Sequence, residues 1–303
     1  MAKLRLSYSQ RGRIRKCLFY HKLYDLLKVR KRWRPSYFAM GTAMHEGIRA
    51  FYLGLPTDPV PDRIYSEELD LSRMDAQALN KIELEKAKLH GMIKGYMKHY
   101  ASDLALFPKM AHEQEAEIPI DIPREWMEGT DVDRVTFYGK IDCLLMDQEG
   151  NWWIKETKTT GDDIDDFIAQ ARFNAQVMSY MFLAKSVIGH WPKGVIYDVI
   201  KKTTHSQKQK ESKRQFAHRM FKMYSEEGAD AGLFRRSQIL IGKRDLEVWR
   251  RETHYEVEDT LDAYRRKRFP MNFEQCRGRW GVCDMFPICS TGKINKQQYQ
   301  IGS

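Results

Sequence analysis

FYGKIDCLLMDQEGNWWIKETKTT, residues 137–160, is the stretch on which the fold turns. Two runs rich in strand-forming residues flank Gln148, Glu149 and Gly150, and glycine supplies the left-handed backbone that a short hairpin loop needs. The reading is therefore strand, turn, strand. Side chains alternate along a strand, which places Trp152, Ile154, Glu156 and Lys158 on one face of the second strand, and Asp142, Leu144 and Met146 on one face of the first. With a three-residue loop Asp147 pairs with Asn151, and counting outward sets Asp142 opposite Glu156, Cβ atoms roughly 5 Å apart. A bulge would move this register by one residue.

Two carboxylates facing each other on an otherwise apolar surface raise each other's pKa unless a positive charge lies between them. A divalent cation is the natural occupant. Mg2+ takes oxygen ligands from one or two carboxylates and keeps waters, which leaves room for a phosphate. Lys158, two residues beyond Glu156, would then point at an attacking oxygen or at the charge that builds on phosphorus. The same residues also fit an exposed cross-strand charge ladder, with Asp142 a solvated acid.

Outward from the hairpin, 303 residues suit one large domain with appended elements. These are a basic N-terminal segment (1–40), a helical insert (55–112), a core (113–202) and a Cys-rich C-terminal segment (270–303). A chain 42% hydrophobic and 30% charged reads as globular. No apolar run approaches a membrane span, and MAKLRLSYSQRGRIRKC has no apolar signal core, so a cytoplasm, bacterial or that of a phage-infected host, is the expected compartment and no membrane is a partner. The net charge of +10 fits a polyanion. No G-x-x-x-x-G-K-S/T occurs, so any helicase or recombination motor is a separate partner.

In residues 1–40, cations such as Arg11, Arg13, Arg15, Lys22, Arg30 and Arg34 interleave with Tyr8, Phe19, Tyr20, Tyr24 and Trp33, the mixture single-stranded nucleic-acid sites use. An amphipathic helix packing Leu18, Leu23, Leu26 and Leu27 inward reads equally well. GTAMHEGIRAFYLG (41–54) predicts a helix started by Gly41 and capped by Thr42, stopped by Gly54, with Met44, Ile48, Phe51 and Tyr52 inward and His45 at the edge of that stripe. A lone His there is ordinarily structural. Residues 112–123 read as a strand with Glu115 and Glu117 outward. A helix follows the hairpin from about Asp165 to Ile188, with Gln176 and Tyr180 on one face. GVIYDVIKK (194–202) is a further strand, 205–214 a mobile basic loop, and 215–268 helical with a strand possible at SQILIGK.

Five cysteines in a chain that reads as cytosolic do not suggest a disulfide framework. Cys276, Cys283 and Cys289 form a C-x6-C-x5-C run, and Cys17 makes four, enough thiolates for a 4Fe–4S cluster or a tetrahedral zinc. Ordinary buried cysteines are the plainer reading, and Cys143 belongs to the core.

Asp, then Glu-x-Lys fourteen residues later across a hairpin, resembles the core of the PD-(D/E)XK nuclease superfamily, and GKID resembles its RecB-type branch. The other motifs stand in that branch's order: Cys17 before the G-x-x-x-H of Gly41 to His45, Glu115 on the preceding strand, Gln-x-x-x-Tyr at Gln176 and Tyr180, and the terminal cysteines. The resemblance implies a mixed central sheet flanked by helices with the hairpin in its middle, an α/β restriction-endonuclease-like core. It implies Mg2+- or Mn2+-dependent hydrolysis of DNA at single-stranded or duplex ends, with His45, Asp142, Glu156 and the Thr157 carbonyl as metal ligands, Lys158 orienting or activating water, and Gln176 and Tyr180 near the bound strand. It also implies an iron–sulfur staple on Cys17, Cys276, Cys283 and Cys289, as in AddB-like and CRISPR-associated relatives, although the family's first gap is two residues and this one is six. An exonuclease in recombination, repair or phage DNA processing is the leading expectation. A structure-specific endonuclease, a non-catalytic DNA-binding subunit and a zinc-stabilised RNA-processing protein are the alternatives.

Overall fold

The structure, a computed structural model, describes residues 2–32, 35–228, 231–278 and 281–302. Trp33 and Arg34 of the basic segment lie outside the described residues. β1 (Ala2–Leu6) leads to α1 (Tyr8–Lys16), which Ser7 caps in a reciprocal box with Gln10. A short α2 (Leu18–His21) loosens into a π turn over Lys22–Leu26. That loosening turns Leu26 and Leu27 outward, 40% and 46% exposed, whereas Leu23 is buried, so the inward stripe expected of the four leucines is only partly formed. Two of the cations are spent on internal acids. Arg11 forks onto Glu256 and Arg13 onto Asp25.

β2 (Val29–Lys31) precedes α3 (Ser36–Tyr52). The helix starts five residues before the expected Gly41, because Pro35 holds the extended backbone that ends the preceding segment, and Thr42 is an interior residue whose hydroxyl donates to the Phe38 carbonyl. Gly54, at φ +68°, follows its end. α4 (Val60–Glu68), α5 (Ala76–His99) and α6 (Asp103–Leu106) come next. Then β3 (Lys109–Pro119), β4 (Val132–Met146) and β5 (Trp152–Thr160) build the heart of the sheet.

The single helix expected over 165–188 is two, α7 (Ile164–Ala169) and α8 (Ala175–Ile188), because the Asn174 side chain accepts from the Gln176 and Val177 amides and caps a fresh helix. β6 (Gly194–Lys201) is followed by α9 (Lys213–Ser225), whose cap, Ser212, and first two residues lie in the stretch expected to be a loop. Glu211 there accepts both arms of Arg219. β7 (Phe234–Leu240), α10 (Lys243–Arg265), the small pair β8 (Arg277–Gly278) and β9 (Gly281–Val282), α11 (Phe286–Thr291) and β10 (Tyr299–Ile301) complete the order, and β10 pairs with β2.

The main sheet runs β1-β4-β5-β6-β7, with β3 on the other edge of β4. β1 pairs in parallel with residues 132–137 of β4 and β5 antiparallel with 143–146, so the two lie end to end along one edge of that long strand. β5 and β6 are parallel, β3 and β7 antiparallel to their neighbours, so the sheet is mixed. One face packs Leu144, Ile154, Tyr197 and Val199 against α1, α8 and α10. On the other face Ile200 and Phe234 meet α3 and α5. α5 lies so close to α9 that a Cβ on Gly91 or Gly95 would come within 2.8 Å of the Met220 carbonyl or 2.5 Å of the Tyr224 carbonyl. The sheet is thus flanked by helices on both faces, the architecture that the family resemblance implies.

Alternation is not uniform along the two longest strands. Ile141 and Leu144 pack on one face while Cys143 and Leu145 pack on the other, so β4 changes phase around Asp142. β3 does the same between Ala111 and Ala116, where Glu113 takes φ +51°. A non-glycine residue there is strained, and such strain persists only where the surroundings enforce it.

Candidate active site

Glu156 occupies the middle of β5, beside Tyr197 of β6, with 0% of its surface exposed. Among the described residues its Oε2 has no hydrogen-bond partner. Such an arrangement is costly unless a cation compensates it, and the cation in contact is the Lys158 ammonium, which meets Oε1. Lys158 also donates to Gln176 Oε1 at 2.7 Å, and Gln176 Nε2 donates to the Tyr180 hydroxyl at 2.9 Å. The cap at Asn174 therefore sets Gln176 in the first turn of α8, where its amide is held from both ends. Burial pulls the Lys158 pKa down, but the charges of Glu156 and Asp142 outweigh it and the ammonium is held above its ordinary range.

Across this group, Asp142 Oδ2 lies 3.1 Å from His45 Nδ1. Burial pushes the Asp142 carboxyl up, while the His45 contact and the ammonium groups of Lys158 and Lys155 pull it further down, to a net value below the usual carboxylate range. β4 and β5 stay paired only to Cys143 and Lys155, in the register that continues to Asp142 and Glu156. At the turn the Asp147 amide donates to the Asn151 carbonyl. Thr157 points its side chain to the opposite face of β5, where its hydroxyl accepts from Lys155 Nζ at 2.8 Å.

His45, Asp142, Lys158 and Gln176 line a cavity of about 500 Å3. Its far wall holds three residues that sequence reasoning did not single out. Glu113 pairs with Lys140 at 2.6 Å and with Arg49 at 3.4 Å. Glu115, the acid suspected on this strand, is exposed and absent from the cavity. The phase change in β3 brings Glu113 to the site instead, and a strictly alternating strand gives no sign of it.

Behind the site, Lys155 (2% exposed) and Asp198 (0%) form an ion pair at 3.2 Å. Arg236 forks onto Asp198 at 2.6 and 2.8 Å and onto Asp103 at 2.7 and 2.8 Å. Tyr96 donates to Asp198 and Tyr52 to Asp103.

Cys17, Cys276, Cys283 and Cys289, all free thiols, line a separate cavity of about 110 Å3. Burial raises the Cys289 pKa, and the charges of Cys283, Cys17 and Cys276 add to the rise. Among the described residues, no three His, Cys, Asp or Glu side chains are disposed to hold a metal ion. None of the described helices is long and apolar enough to cross a membrane.

Asp142 on β4, then Glu156 and Lys158 across the central hairpin on β5, stand in the order Asp, Glu-x-Lys on a mixed sheet. The chain belongs to the PD-(D/E)XK nuclease superfamily, whose family model matches residues 5–290. Members are typically nucleases and generally use Mg2+ or Mn2+. Among solved structures, one described as "Crystal structure of SSO0001" is 14% identical, with a TM-score of 0.35 over 86% of this chain and 97% of that one. No curated protein matches the chain.

Proposed function

We propose that the protein is a metal-dependent deoxyribonuclease of the RecB-type branch, acting as an exonuclease on DNA ends in recombination, repair or phage DNA processing. The observation that carries this reading is the buried Glu156 carboxylate, which meets Lys158 through Oε1, has no partner at Oε2 among the described residues, and lies across from the Asp142 and His45 pair. Two acids of this kind suit one or two Mg2+ or Mn2+ ions, held by Asp142, Glu156 and the Thr157 main-chain carbonyl. The donors fit such an ion: two carboxylates supply oxygen, and Glu156 Oε2 has no hydrogen-bond partner among the described residues. His45 has Nδ1 engaged with Asp142, so it meets a cation through Nε2 or serves to orient the carboxylate. The ion supplies Lewis-acid charge at the scissile phosphate. Lys158, an ammonium fixed by Gln176, orients the attacking water and offsets charge on the phosphoryl oxygens, and Tyr180 holds the amide of Gln176.

The four thiols line one small cavity, and four thiolates are a ligand set that a soft metal takes. A 4Fe–4S cluster is the proposed occupant, with zinc the competing one. The cation-rich surface and the nuclease family make DNA the proposed partner.

Incubating end-labelled linear DNA and closed circular DNA with the purified protein and Mn2+ tests the reading. Linear DNA is degraded from its ends while the circle survives. Cutting of the circle makes the protein an endonuclease, and retardation of both without cleavage makes it a binding subunit.

A further inference from the structure

We propose that the basic segment from Lys201, the last residue of β6, to Lys222, in the final turn of α9, is a strap that grips the phosphate backbone of duplex DNA outside the catalytic cavity. It holds eight lysines and arginines against one acid, and so supplies seven of the chain's ten net positive charges. Cations gathered this way displace counterions from a polyanion. The segment is ordered around its single acid. Glu211 accepts both arms of Arg219 at 2.8 Å and the Lys208 amide at 2.8 Å, and Arg219 also donates to the Ser206 carbonyl at 3.0 Å. The Arg219 hydrogen bonds bring the Glu211 carboxyl down to about 2, so the acid stays ionised and its charge is spent on that guanidinium. Lys208, Lys210, Lys213, Arg214 and Lys222 are exposed, and among the described residues none of their side chains forms an ion pair.

Sheet register fixes where the strap lies. β5 and β6 run parallel, with Lys158 beside Val199 and Thr160 beside Lys201, and the Lys202 amide donates to the Thr160 carbonyl. The strap therefore leaves the sheet three residues, roughly 10 Å, beyond the strand position next to Lys158. Its root is tied down: Lys88 of α5 donates to the Thr203 carbonyl at 3.3 Å, and the Tyr224 hydroxyl donates to the Lys201 carbonyl at 2.8 Å. A duplex carries one charge per about 1.7 Å of its axis, so several phosphates lie within that reach of one held at Lys158. Composition decides the form of DNA. Residues 202–215 contain no Phe, Tyr or Trp. Single-strand sites add aromatic faces on which bases stack, whereas a segment that offers charge alone is best matched by the denser phosphates of a duplex.

The inference rests on the nuclease reading for the phosphate at Lys158, but its test needs no cleavage. Binding of a fluorescein-labelled duplex of about 20 base pairs, and of a single strand of the same length, is measured by anisotropy in EDTA over a range of salt. Lys208→Gln, Lys210→Asn, Lys213→Gln and Arg214→Gln are combined in one variant, with Asn at 210 because it tolerates the φ of +69° there. Duplex affinity at about 0.1 M salt falls by about 10- to 1000-fold, and the slope of log affinity against log salt becomes shallower by about 3 to 4. Single-strand affinity changes by no more than about threefold. The charge-keeping set Lys208→Arg, Lys210→Arg, Lys213→Arg and Arg214→Lys binds the duplex like wild type. Neutral glutamines at Lys109, Lys193, Lys243 and Arg250, exposed around the other end of the sheet, cost the duplex less than about threefold. All these positions are exposed, so neither set threatens folding. A slope that moves by less than about 1 overturns the proposal, as do equal losses for the two sets of neutral substitutions or for the two forms of DNA. A protein that cleaves nothing in Mn2+ yet shows the duplex losses keeps the strap and loses the enzyme. One that cleaves while the neutral strap variant binds duplex normally keeps the enzyme and loses the strap.

Discussion

Replacing Asp198 with alanine tests how the catalytic strand is held from behind. Asp198 is fully buried and compensates Lys155 at 3.2 Å and Arg236 at 2.6 and 2.8 Å. Burial raises its pKa, and Lys155 and Arg236 lower it more strongly, so the carboxylate is charged in the folded protein. Its removal takes from Lys155 its paired carboxylate and leaves Arg236 on Asp103 alone, and breaking a buried charge group in this way costs about 3–5 kcal/mol. Unfolding entropy of about 2.1 cal/mol/K per residue, over 303 residues, is about 0.64 kcal/mol/K. Asp198→Ala should therefore lower Tm by about 5–8 °C when the chain unfolds as one unit. Scanning calorimetry reads the shift. A double variant, Lys155→Met with Asp198→Leu, removes one cation with its anion and should recover more than half of the loss. A fall below about 2 °C for the single variant, or a double variant worse than both single changes combined, shows that these charges are not coupled and that the reasoning about them is wrong. Because Lys155 also donates to Thr157 between Glu156 and Lys158, cleavage should fall with stability in the single variant.

Glu156→Gln and Lys158→Ala should each remove several kcal/mol of charge stabilisation, about a thousandfold in cleavage rate, with far-ultraviolet circular dichroism unchanged; a variant that cuts at the wild-type rate defeats the assignment. Gln176→Leu should cost about 10- to 100-fold by releasing the Lys158 ammonium, while Tyr180→Phe, which leaves the amide one partner fewer, costs less; equal effects in a single-turnover assay would contradict the order of contacts described. Glu113→Gln should impair cleavage where Glu115→Gln does not, since only Glu113 faces the cavity; the reverse pattern would return the role to Glu115. Cys283→Ser should lose iron or zinc by elemental analysis together with any visible absorbance, and a wild-type protein carrying neither metal shows that the four thiols are ordinary core residues.

What could be read from the chain was what is local. The hairpin register followed from one turn, closed by Asp147 and Asn151 around Gly150 at φ +84°, whereas the architecture of the sheet came only through the family resemblance. Helix ends were read less well, because Pro35 and Asn174 outrank the weaker signals of Gly41, Thr42 and the acidic run at 162–166. The contact of His45 with Asp142 joins residues 97 positions apart, and the Arg236 forks reach back 133 residues to Asp103. Neither leaves a periodic trace in sequence. His45 entered only through a motif resemblance, and Asp103, Lys155, Asp198 and Arg236 did not enter at all. Glu113 was hidden for a different reason: a strand that changes phase midway looks the same as one that does not until its neighbours are seen.

The pairing of β2 with β10 ties Val29 to Ile301 and Lys31 to Tyr299. During synthesis the early strand must wait unpaired until the late one has emerged, so the region around Cys17 matures only after the rest of the sheet can already have formed. A chain cut before Tyr299 would carry the whole catalytic hairpin yet leave Val29–Lys31 without its antiparallel partner.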